Sequence, residues 1–106
     1  MEEPREKLMI VRCTETDWGY NEGELYWAVT EHNETFNSVF CKIIDFRKDT
    51  FLNCPNKEDM CETFEILAEK EISSRRQCWL TYGYAKKEQP DLWPPTIEKL
   101  NNFGQN

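Results

Sequence analysis

"CPNKEDMCETFEILAEKEISSRRQCWLTYGY", Cys54 to Tyr84, is the stretch on which the fold turns. It opens with Cys54-Pro55, where the residue before proline is pushed away from helix. Apolar residues then fall at Met60, Phe64, Leu67, Ala68 and Ile72, spacings of four, three, one and four. That stripe predicts an amphipathic helix over Lys57 to Ile72 that buries Met60, Phe64 and Leu67. Pro55 suits a first helical turn, and Glu58 and Asp59 complement the positive end of the helix dipole. Ser73-Ser74-Arg75-Arg76 reads as its end. "QCWLTYGY", dense in aromatic and β-branched types, reads as a strand.

Upstream, the pattern is β. Leu8 to Thr14 and Leu25 to Thr30 are β-rich runs separated by a turn-rich patch with Gly19, Asn21 and Gly23. After the turn "HNETFN", "SVFCKIIDF" is a third run, Asp45 to Asp49 is a polar break, and "TFLNC" continues extended. Downstream, "KKEQPDLWPP" is a loop or edge. "TIEKLNNF" predicts a short closing helix with Ile97 and Leu100 on one face, stopped by Gly104. The expected fold is mostly β (α+β): a small antiparallel barrel with an inserted amphipathic helix and a short C-terminal helix. One domain covers residues 1–106, with barrel strands over about 8–53 and 77–90 and the inserted helix over about 55–73.

A chain of 106 residues with a 13% aromatic share has the means to bury a core. Its formal net charge of −7 repels a phosphate backbone and an anionic membrane, and favours a partner rich in Arg or Lys. No apolar run is long enough to span a bilayer. The start, "MEEPREKL", lacks the basic and apolar regions of a secretion signal, so cytoplasm or nucleus is expected. In that setting the Asn33-Glu34-Thr35 sequon carries no meaning.

Five cysteines, Cys13, Cys41, Cys54, Cys61 and Cys78, form no C-x-x-C pair, and His32 is the single histidine. The pattern predicts reduced thiols, with Cys13, Cys41 and Cys78 packed in strands, and no metal site. No cofactor is expected: four glycines make no phosphate loop, and one histidine offers little to a general base or nucleophile. The chain is read as non-catalytic.

Three fragments, "AVTEHNETF", "KIIDFRKDTF" and "LTYGYAKKEQ", follow one another in the order of a known pattern. The chain resembles Tudor domains of the survival-of-motor-neuron type over Glu24 to Phe51 and Cys78 to about Leu100, with Leu52 to Gln77 as an insertion. The resemblance implies an SH3-like barrel that holds a methylated arginine in a cage of aromatic rings, where a cation gains attraction over ring faces. Carried over position by position, the resemblance puts rings near Phe36, at Thr81 or, with a one-residue slip, Tyr82, and at Tyr84, so that Phe36, Tyr82 and Tyr84 supply rings. Thr30 stands where a first ring is expected, and Lys86 where the family has its polar anchor.

Tyr82 and Tyr84 share one strand face. With Phe36 they either line a peptide pocket or cover the core with their hydroxyls at its edge. Trp18 and Tyr20 are loop aromatics, either contact residues or a tucked latch. Trp93, in "DLWPP", either docks on a partner or plugs the barrel. Glu15, Asp17, Glu22, Glu24, Glu31 and Glu34 either steer a basic ligand or form a solvated face. The expected function is a Tudor-like interaction module for a basic peptide, arginine-methylated peptides included, within a ribonucleoprotein or chromatin assembly. The alternatives are an OB-like binder of single-stranded nucleic acid and a scaffold or inhibitor that docks through its helix.

Overall fold

The computed structural model describes residues 5–16, 19–45, 50–81 and 90–103. Five strands form an antiparallel sheet: β1 (Arg5–Cys13), β2 (Leu25–Asn33), β3 (Ser38–Asp45), β4 (Thr50–Cys54) and β5 (Phe64–Ser73), in the order β4-β3-β2-β1-β5. Among the described residues the short helices are α1 (Lys57–Met60), α2 (Ser74–Thr81) and α3 (Ile97–Asn102), with a 3-10 turn at Pro90–Leu92. The chain is thus mostly β with short helices.

The central strands explain their own sequences. Leu8 to Val11 and Tyr26 to Val29 are buried without interruption. A run that alternates must leave one face wet; a continuous apolar run needs cover on both faces. One face carries Leu8, Ile10, Trp27, Val29, Ile44 and Ile72 under Leu80 of α2, Leu92, and Leu100 of α3. The Trp27 indole N–H donates to the carbonyl of Leu92 at 2.7 Å, tying that turn to the sheet. The other face carries Met9, Val11, Tyr26, Ala28, Cys41, Ile43 and Phe64 under Tyr20 and Met60.

The structure corrects the expected inserted helix. Only Lys57–Met60 is helical, capped by the Asn56 side chain, which accepts from the Asp59 N–H at 2.8 Å. Phe64–Ser73 is a strand along β1. Its apolar residues Phe64, Ile66, Ala68 and Ile72 alternate with Glu65, Leu67, Glu69 and Glu71. The register shift between Ile10 and Val11 makes Leu67 an extra, bulged residue. Phe64 and Ile66 therefore point to one face, and Ala68 and Ile72 to the other. The stripe that resembled a helix is a strand alternation with one slip. Met60 and Phe64 are buried as expected, but Leu67 is 43% exposed.

The strand expected from Gln77 onward is likewise a helix as far as Thr81. Ser73, read as part of a helix end, instead starts one: its hydroxyl accepts from the Arg76 N–H at 3.2 Å. Helix α2 lays Leu80 on the sheet, and that packing outweighs the β preference of its aromatic and β-branched types. The barrel expected from the sequence requires the end strands to meet. Among the described residues β4 and β5 remain the two ends of an open sheet.

Elsewhere the expected elements are present. The three early strands and the extended "TFLNC" are in place. The closing helix forms under a Thr96 cap, with Leu100 buried and Ile97 51% exposed rather than on a shared buried face.

Candidate binding edge and groove

The residues singled out in the sequence do not assemble into one described site. Phe36 sits at the tip of the β2–β3 hairpin, 71% exposed, its ring centroid 6.5 Å from that of Phe40. Asn33 shapes this tip by accepting from the Phe36 N–H, and Asn37 takes the left-handed φ of 48° that an asparagine tolerates. Tyr82, Tyr84 and Trp18 lie outside the described residues, as do Asp17 and Lys86. Tyr20 turns inward as a latch: it is buried, its hydroxyl donates to the Ile43 carbonyl at 2.8 Å, and its ring meets Tyr26 and Phe64 edge-on. Trp93 is half-buried against the cores of both faces, 5.9 Å from Tyr26.

The acids of the first third have separate roles. Glu24 accepts from the Tyr26 hydroxyl, and Glu31 forms a largely covered ion pair with Lys42 at 2.7 Å. Glu15, Glu22 and Glu34 are exposed.

The concentrated charge lies elsewhere. From Glu58 to Glu71 the chain carries Glu58, Asp59, Glu62, Glu65, Glu69 and Glu71, all exposed, and a single cation, Lys70. The Lys70 ammonium is turned away, donating to the carbonyls of Asn101 and Phe103 at 2.9 and 2.7 Å. Glu69 accepts from Lys7 at 3.0 Å, with Lys57 at 3.9 Å, and the Lys7 hydrogen bond holds its carboxyl below the usual range. Glu65 pairs with Arg12. Glu62 and Glu71 have no cationic partner among the described residues. On a helix Glu58, Glu62, Glu65 and Glu69, spaced four, three and four apart, would share one face. In the structure Glu65, Glu69 and Glu71 line the end strand of the sheet, with Glu58 and Asp59 on α1 and Glu62 in the turn before it. The alternation of Glu65, Glu69 and Glu71 with Ile66, Ala68 and Ile72 is the signal in the sequence that marks this edge.

Beside this edge, the Tyr20-covered face keeps an open groove of about 420 Å³, lined by Lys7, Met9, Thr30, Val39, Cys41, Asn56, Lys57 and Glu58. Its volume lies within the range of small-ligand clefts. Its thiol is poorly suited to chemistry. Burial pushes Cys41 up to about 11, the facing Cys54 adding to the shift, so the protonated form dominates near neutrality. Cys54 is raised by burial as well. All five cysteines are free; Cys13, Cys41 and Cys54 are buried, while Cys78 is exposed on α2 rather than packed in a strand. Among the described residues no three His, Cys, Asp or Glu side chains converge as metal ligands, and no helix is long and apolar enough to cross a membrane.

No protein-family model, curated protein or solved structure matches the chain.

Proposed function

We propose that the chain is a non-catalytic interaction module that binds a basic peptide. The supporting observation is the acidic strip from Glu58 to Glu71, six exposed carboxylates on α1, the turn after it and the end strand β5. Such a strip attracts Arg and Lys side chains, orients an approaching cation and raises its association rate. Arginine-methylated peptides belong to the same ligand class. Within this reading Phe36, Tyr82 and Tyr84 are the Tudor-like rings that would favour the methylated cation. The setting it implies is a ribonucleoprotein or chromatin assembly in the cytoplasm or nucleus.

Amide-resolved NMR titration tests the proposal with an arginine-rich peptide, its dimethylated form, a glutamate-rich peptide and single-stranded RNA. Both basic peptides are expected to shift amides between Glu58 and Glu71, and to bind more weakly as salt rises. Tighter binding of the RNA at equal salt, or no response to either basic peptide, rejects it.

A further inference from the structure

An end strand exposes a row of backbone N–H and C=O groups to which another strand can add. β5 is ten residues long, and β1 is its one neighbour among the described residues. Long ends of this kind are normally blunted by bulges and charges. β5 has both, but the bulge at Leu67 lies toward its start. Beyond it, Ala68 to Ser73 pairs without a break along Ile10 to Arg5.

We infer that Ala68 to Ser73 accepts an extended segment of a partner protein as a sixth strand, and that this segment alternates basic and apolar residues. The inference rests on the basic-peptide reading and specifies how the peptide is held. Residues directly opposite one another in an antiparallel pair share a face. Glu69 and Glu71 lie on the face that carries Met9 and Lys7, so the two positions opposite them take basic residues. Ala68 and Ile72 lie on the helix-covered face, where Ile72 packs in a core with Leu8 and Leu100. Apolar residues opposite them extend that core. The Lys70 ammonium does not interfere, because it is held by the Asn101 and Phe103 carbonyls.

The same charges disfavour a second copy of this chain in the registers that overlap most of this segment. Antiparallel self-pairing centred on Glu69 sets Glu69 against Glu69. Centring on Lys70 sets Glu69 against Glu71 and Lys70 against Lys70. Centring on Glu71 sets Glu71 against Glu71. Like charges directly opposite are destabilising. The other end strand, β4, is five residues long, has no charged residue and runs into Pro55. The charge pattern therefore selects β5, and at β5 it selects a basic partner over a copy of itself.

The experiment compares three eight-residue peptides against the intact chain: alternating lysine and valine, four lysines followed by four valines, and the alternating peptide with a central proline. Strand addition predicts that the alternating peptide slows amide exchange across Ala68 to Ser73. It also predicts that the blocked and proline peptides bind about tenfold more weakly or less, since each breaks the register or removes a donor. Glu69→Gln with Glu71→Gln should erase the preference for the alternating order. If the blocked peptide binds equally and amides 68–73 stay unprotected, strand addition is overturned while the basic-peptide reading stands. If no lysine peptide binds, both fall.

Discussion

Substituting Phe64 and Leu67 separately by alanine distinguishes a strand from a helix over Phe64–Ser73. On a helical stripe the two are neighbours on one buried face, and each truncation would cost about 2–5 kcal/mol. In the structure they differ. Phe64 is 3% exposed, with Tyr20 and Tyr26 edge-on at 5.6 and 6.3 Å. Removing its ring leaves a hole that neighbouring aromatics cannot close, so Phe64→Ala should cost about 3–5 kcal/mol. Leu67 is the bulged residue and 43% exposed. Complete burial of a leucine contributes about 1.5–3 kcal/mol, roughly half applies here, and the vacated space opens to water, so about 1 kcal/mol is expected. The assay is urea unfolding of the wild type and both variants, compared at equal m. A loss above about 2 kcal/mol for Leu67→Ala, matching that of Phe64→Ala, would refute the strand assignment.

Two further outcomes concern Cys41 and Lys70. The Cys41 thiol is raised by burial from 9.0 to about 11, so the unfolded chain loses that proton first; stability held below pH 9 should fall by about 2–3 kcal/mol as pH rises to 11. Urea midpoints at several pH values should show a shallower alkaline decline for Cys41→Ala, with part retained because Cys54 is shifted in the same direction; an unchanged slope excludes Cys41 as a source. Lys70→Ala removes two charge-assisted hydrogen bonds to the end of α3, and should cost about 1.5 kcal/mol while speeding amide exchange in α3 before β1 and β2. Unchanged exchange in α3 would show that the β5–α3 tie contributes nothing.

Much of the fold was legible in the sequence where burial itself writes the pattern. Leu8 to Val11 and Tyr26 to Val29 are unbroken apolar runs because both faces of the sheet are covered, and such runs identify central strands. Thr96 marks the closing helix because a hydroxyl at that position satisfies a helix N–H whatever the surroundings. The net charge of −7 is likewise a property of composition alone, and it sets the sign of the expected partner. The identity of Phe64 to Ser73 was not determined locally. An alternation slipped by one residue at Leu67 leaves apolar positions four, three and one apart, which a helix also satisfies. The choice was made by β1, whose outer hydrogen-bonding groups need a partner from a segment far along the chain. Packing then made a helix of Ser74 to Thr81, because the second sheet face needed cover. The candidate site depended on the same tertiary decision. Glu65, Glu69 and Glu71 line a sheet edge only because their segment pairs with β1, and spacing within the segment does not encode that pairing.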